Sequence, residues 1–134
     1  LFRNGIPYDP TLALNCNWDL DQCAECAMKL FTSDNPPEVI FAGSDTLASV
    51  ILSVMHKMGL NCPKDVGLFG FNNISMSSLT APPLSTINVP TKNIGAMAVQ
   101  RLMELISNRD SQIMNIQFPT QIILRESLLR VNQN

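Results

Sequence analysis

Histidine occurs once in these 134 residues, tryptophan and tyrosine once each, and charged residues make up only 15% of the chain. Each scarcity excludes something. With His56 the only imidazole, no serine or cysteine at a predicted strand end has the neighbouring base that an activated nucleophile needs. His56 itself falls late in a predicted helix, where solvent exposure is the ordinary outcome. Paired carboxylates, metal-ligand spacings and a glycine-rich phosphate loop are all missing, since Gly67-Leu68-Phe69-Gly70 lies within a predicted strand and not after one. An enzyme is not expected, and neither a metal nor a cofactor is implied.

Positive charge is equally thin. The formal net charge is −2, and the nearest thing to a basic cluster is the separated pair Arg125 and Arg130. The footprint that phosphate backbones require is therefore lacking, and this chain alone is not expected to bind nucleic acid. No apolar run approaches the ~18 residues of a membrane span. The first residues, Leu1-Phe2-Arg3-Asn4-Gly5-Ile6-Pro7, lack the charged-then-apolar layout of a secretory signal. The expectation is a soluble, cytoplasmic protein. A start without Met, and without a helix or strand signal, suits a piece of a longer polypeptide.

What is present is apolar. A 46% hydrophobic content suffices for one core, so one domain is the default. Of the cysteines Cys16, Cys23, Cys26 and Cys62, the middle two form a Cys-x-x-Cys pair, a spacing shared by redox motifs and half zinc sites. No second such pair exists. Cys23 and Cys26 also fall on the helical stripe of Leu20, Ala27 and Leu30, where free cysteines serve as small hydrophobes, and core packing is the expected role.

The apolar pattern alternates between short runs and helical stripes. Residues 12–16 are a weak strand candidate. Leu20 to about Phe31 predicts a helix capped by Asp19, ended by Ser33-Asp34-Asn35-Pro36-Pro37. Val39-Ile40-Phe41-Ala42 predicts a buried strand. A helix over about 46–58 follows, with Asp45 as its cap, Gly59 as its stop, and Leu47, Val50, Ile51, Val54 and Met55 inward. Val66 to Phe71 and Leu84 to Asn88 are further strands, Pro90-Thr91 opens a third helix to about Ile106, and 116–124 holds one or two terminal strands broken at Pro119. The third helix carries Ile94, Ala98, Leu102, Leu105 and Ile106 on one face. Continuously apolar strands alternating with amphipathic helices predict an α/β fold, with an open, mainly parallel sheet and helices on both faces.

Open parallel sheets bind ligands beyond the carboxyl ends of their strands, where helix starts and loops converge. Here those ends hold Asn17-Trp18, Ser44-Asp45, Asn72-Asn73 and Asn88. Amides, a hydroxyl, one carboxylate and an indole suit a sugar or similar polyol. Each has a plainer reading beside this one: Asp45 as a helix cap, Trp18 as local packing, and Asn72 as a turn residue.

The run Pro37-Glu38-Val39-Ile40-Phe41-Ala42-Gly43-Ser44-Asp45 is followed by Gly59-Leu60, Pro63-Lys64-Asp65-Val66, Gly70-Phe71-Asn72-Asn73, Pro82-Pro83-Leu84-Ser85-Thr86-Ile87, Gly95 and Arg125-Glu126-Ser127. In this order and spacing these motifs resemble the effector-binding domain of the lactose-repressor and galactose-repressor (LacI/GalR) family of bacterial transcription regulators. The resemblance implies a type I periplasmic-binding-protein-like fold, with two α/β subdomains and the effector between them. Residues 1–134 would be the carboxyl-terminal portion, mostly the second subdomain, with the helix of about 91–108 crossing to the first. It also implies a homodimer, a sugar or sugar phosphate as effector, and operator DNA bound only through a helix-turn-helix headpiece outside this chain. Trp18, Ser44, Asp45 and Asn72 match the family's effector-binding positions. Asn72 stands where Asp is usual, which disfavours a charged or strongly donor-rich effector, and Val89 where Gln is common, which removes a further polar group near the subdomain crossing. An extracytoplasmic sugar-binding protein of a transport system shares the fold and is the alternative.

Overall fold

The computed structural model describes residues 3, 5, 7–107, 112 and 114–128. Its elements are α1 (Leu20–Phe31), β1 (Val39–Phe41), α2 (Asp45–Lys57), β2 (Gly67–Asn72), β3 (Ser85–Asn88), α3 (Thr91–Ser107) and β4 (Gln121–Ile123), with 3-10 turns at Pro10–Leu12 and Ser75–Ser78. The strand order is β1-β2-β3-β4. The first three strands run parallel, and β4 pairs antiparallel with β3 through Ile87↔Ile122. The predicted α/β class and mainly parallel sheet are what the chain forms.

Local chemistry accounts for the helix ends. The Asp19 carboxylate accepts from the Gln22 N–H at 2.8 Å, so α1 starts where predicted. At the far end of α2, Gly59 takes φ +72, and the Leu60 N–H donates to Met55 C=O at 2.9 Å. That is a left-handed stop satisfying an otherwise orphaned carbonyl. The start of α2 differs from expectation. Ser44, not Asp45, is the cap: its Oγ accepts from the Leu47 N–H at 3.2 Å, and Asp45 is the first helical residue. Both residue types cap well, and the buried position of Asp45 shows what drew it elsewhere.

Two further expectations change. Residues 12–16 form no strand: the 3-10 turn at Pro10–Leu12 is held by Asp9, which accepts from Thr11 N–H at 2.8 Å, and Leu12 and Leu14 stay exposed without a sheet neighbour. The terminal strand shrinks from 116–124 to Gln121–Ile123, because pairing with β3 begins only after Pro119, which has no N–H to donate. Asn108-Arg109-Asp110-Ser111, which reads in the sequence as a loop after the third helix, lies outside the described residues.

One core joins α1, α2 and one face of the sheet. Cys23 and Ala27 of α1 meet Leu47, Ala48, Ile51, Leu52, Val54 and Met55 of α2, and these close over Ile40, Leu68 and Leu84. The opposite sheet face is open. Val39 and Phe41 are exposed, and Phe41 stacks on Phe69 with centroids 5.7 Å apart and meets Phe71 edge-on at 6.5 Å. The third helix buries none of its residues against the described chain and leaves Leu102 and Ile106 exposed.

Candidate functional site

Parallel pairing places the ends of β1, β2 and β3 side by side. Asn72 pairs with Asn88 across the last rung, and Ser44 follows β1 directly into α2. Asn72 and Asn73 adopt φ values of +102 and +54, the left-handed region that asparagine tolerates better than most residues. This reversal lets β2 turn sharply at the strand ends. The Asn73 N–H then donates to Thr86 Oγ1 at 3.3 Å, and its amide donates to Asn88 Oδ1 at 3.0 Å. Two strand ends are locked together by side chains.

Asp45 anchors this arrangement from beneath. Its carboxylate is fully buried. One oxygen accepts from Thr86 Oγ1 at 2.5 Å and the other from the Ile74 N–H at 2.8 Å. A buried carboxylate is tolerable only when such donors replace water. The space it occupies exists because residue 70 is glycine: a Cβ there would collide with Asp45 Oδ1 and come within 2.9 Å of Leu84 Cδ2. The aspartate therefore ties α2 to β3 and to the loop after β2.

Arg125 holds the same corner from the other side. Its guanidinium donates to Leu84 C=O at 2.6 Å, to Ser77 Oγ at 3.2 Å and to Asn73 Oδ1 at 2.8 Å. Nearby, Ser127 Oγ donates to Leu68 C=O at 2.6 Å and accepts from the Ser85 N–H at 2.8 Å. The Arg125-Glu126-Ser127 motif thus fastens the carboxyl-terminal segment across β2 and β3.

Trp18 reaches the site from the loop before α1. Asn17 and Trp18 take φ +49 and +62, and the Asp19 N–H closes the bend on Cys16 C=O at 2.8 Å. The indole is 71% exposed, and its Cη2 would lie 3.7 Å from a Cβ on Gly43, the residue before Ser44. An exposed aromatic face beside polar strand ends is what a sugar ring stacks on. A cavity of about 250 Å³ opens at the ends of β2 and β3, lined by Asn72, Asn73, Asn88, Val89, Pro90, Thr91, Lys92 and Asn93. Another of about 230 Å³ lies near Asp9, Lys29 and Asn35, away from the strand ends. The first is where polar groups from several elements converge.

Residues 4–128 match the family model described as a periplasmic binding protein-like domain. The chain belongs to this family. It is 28% identical over 130 residues to the HTH-type transcriptional repressor PurR of Vibrio campbellii, covering 92% of this chain and 39% of that protein. It is 27% identical over 131 residues to the probable HTH-type transcriptional repressor ExuR of Bacillus subtilis, covering 98% and 39%. Among solved structures, the transcriptional regulator CelR in complex with cellobiose superposes with a TM-score of 0.86 at 24% identity, covering 94% of this chain and 38% of that one. The chain thus spans about two fifths of the curated relatives it matches. The resemblance to LacI/GalR effector-binding domains is the one these relatives show.

Four residues stood out in the sequence for the site. Trp18, Ser44 and Asn72 lie at the strand ends, Trp18 exposed and Ser44 nearly buried as a cap. Asp45 lies under them with no exposed surface. Sequence reasoning missed the part played by Arg125 and Thr86, whose partners are 40 or so positions away in the chain. It also missed Thr91, Lys92 and Asn93 as cavity lining. The helix start after Pro90, adjoining a strand end, was the signal that could have found them.

Proposed function

We propose that this chain is the carboxyl-terminal portion of the effector-binding region of a LacI-type, DNA-binding transcriptional repressor, and that its effector is a sugar or sugar phosphate. The observation that carries the proposal is the strand-end cluster. An exposed indole stands beside one strand end, while asparagines from two others border a cavity of about 250 Å³. Trp18, Ser44 and Asn72 are the contact residues in this reading, and Asp45 positions them from below. The cellobiose complex of a structurally similar regulator supports a carbohydrate.

In the whole protein the site would be one wall of a cleft between two subdomains, with α3 crossing to the other. Its apolar stripe, exposed at Leu102 and Ile106, suits that role. Effector binding would shift a cytoplasmic homodimer between DNA-binding and released states by its differential affinity for the two. The DNA contacts belong to a headpiece outside this chain.

A thermal-shift screen of the full-length protein tests the assignment. A sugar or sugar phosphate should raise the melting temperature, by mass action on the folded state. A shift with purines and none with any sugar would overturn it.

A further inference from the structure

An asparagine side chain has two unlike ends, and at the strand-end corner its neighbours decide which end faces where. Arg125 makes the first choice. Its backbone is pinned to β3, where the Arg125 N–H donates to Ser85 Oγ at 2.8 Å and the Ser85 hydroxyl donates to Arg125 C=O at 3.0 Å. Its guanidinium, held by Leu84 C=O, reaches Asn73 at 2.8 Å. A guanidinium only donates, so the end of Asn73 that meets it is Oδ1. The Asn73 amide nitrogen then lies on the other side, where it donates to Asn88 Oδ1 at 3.0 Å. That bond fixes Asn88 in turn: its oxygen faces Asn73 and its nitrogen is turned away. Among the described residues, no buried or half-buried side chain has a partnerless nitrogen or oxygen shut off from solvent. The Asn88 nitrogen, which has no partner among them, is therefore open, and Asn88 borders the cavity at the ends of β2 and β3.

We propose that Asn88 is a specificity-determining residue of the effector wall, presenting an N–H donor to a hydroxyl or phosphate oxygen of the effector, and that Arg125 is the positioning residue that sets this polarity through Asn73. The proposal rests on reading the cavity as the effector site. Arg125 does not itself line that cavity, so it acts on the effector only through the two amides.

Reversing the relay is unfavourable at each step. Turning the Asn73 amide sets its NH2 against the guanidinium, donor facing donor, and takes a charge-assisted bond away from Arg125. Turning Asn88 alone sets its NH2 against that of Asn73. Ser77, the other neighbour of Asn73 Oδ1 at 3.3 Å, is a hydroxyl that donates or accepts, so the choice belongs to Arg125. No carboxylate among the described residues pairs with Arg125, and none competes with Asn73 for its charge. A sugar that lacks an oxygen opposite Asn88 forfeits the bond and leaves the donor unpaired, which is how a polar group in a binding site discriminates.

The test uses the full-length protein in two ways. In proton–nitrogen correlation spectra without added sugar, the side-chain amides of Asn73 and Asn88 are assigned by their loss in Asn73→Asp and Asn88→Asp. The Asn73 proton directed at Asn88 should exchange with water roughly fivefold more slowly than either Asn88 proton, as one bond of ordinary strength predicts. Arg125→Met should remove the difference, and Arg125→Lys, which also only donates, should keep it. Slower exchange at Asn88 than at Asn73, or a difference that survives Arg125→Met, would overturn the relay whatever the cavity binds; the wild-type comparison decides even if Arg125→Met fails to fold. Calorimetric titration then takes D-glucose, D-galactose, D-ribose and fructose bisphosphate as probes. Any probe bound by the wild type should bind roughly tenfold more weakly to Asn88→Ala. Equal affinity would overturn the donor role of Asn88 and leave the sugar reading standing. Failure of every probe to bind the wild type would remove the sugar reading, and with it the role of Asn88, while the exchange rates still decide the relay.

Discussion

Two helices of this chain have similar apolar stripes and opposite fates. Of the 13 residues of α2, Asp45, Leu47, Ala48, Ile51, Leu52, Val54 and Met55 are buried. Of the 17 in α3, none is. The stripe of α2 finds its partners close by, in α1 before it and β2 after it. That of α3 buries no residue against the described chain. A periodic apolar face states that a helix needs a partner, and says nothing about whether the same stretch of polypeptide holds it.

That difference can be broken or sharpened by substitution. Met55, 1% exposed, should be the most sensitive position: Met55→Ala is expected to cost about 3 kcal/mol, the usual range for deleting a buried long side chain, read from urea unfolding. Asp45→Ala comes close behind. It strands the Ile74 N–H and the Thr86 hydroxyl, and a buried donor left without its acceptor costs about 1 kcal/mol at the low end of the usual range. Thermal unfolding of Asp45→Ala against Asp45→Asn should show partial recovery in the second, because the amide oxygen still accepts. Ser44→Ala removes only the cap, so about 1 kcal/mol is expected; a larger loss would show a further role for the hydroxyl. Leu102→Gln, at a position 57% exposed, should change the stability of this chain by under ~0.5 kcal/mol. A large loss there would mean α3 is packed after all.

How much of this was legible beforehand depends on the range of the interactions. The helices and three of the strands follow from nearest-neighbour chemistry: apolar spacing, Asp19 as a cap, Gly59 as a stop, prolines at the breaks. The capping of α2 was misread because Ser44 and Asp45 are both good caps. Which of them takes the role is settled by Thr86, distant in sequence, whose hydroxyl draws the aspartate into the core. Residues 12–16 read as a strand because Leu12 and Leu14 alternate with small residues, yet a strand needs a neighbour and these have none among the described residues.

The site was legible as a set of residue types and not as an assembly. Amides and an indole at strand ends suggested a polyol, and the structure brings Asn72, Asn73 and Asn88 to one corner. The devices that hold the corner, Gly70 making room for a carboxylate and Arg125 reaching Asn73, depend on contacts the sequence does not display. Positions that touch a ligand announce themselves by chemistry, while those that position them are found by geometry.

The central claim is that the strand ends form the effector wall, and Asn72 tests it most directly. It is half-buried at a cavity edge, and its side chain is not needed for any hydrogen bond named above. Titrating the full-length protein and its Asn72→Gly variant, which removes the amide and accepts the φ of +102, with the sugar that gives the largest thermal shift should show binding weakened at least tenfold, the cost of about 1.4 kcal/mol, with the ligand-free melting temperature little changed. Equal affinity in the two proteins would contradict the claim and return Asn72 to a turn residue.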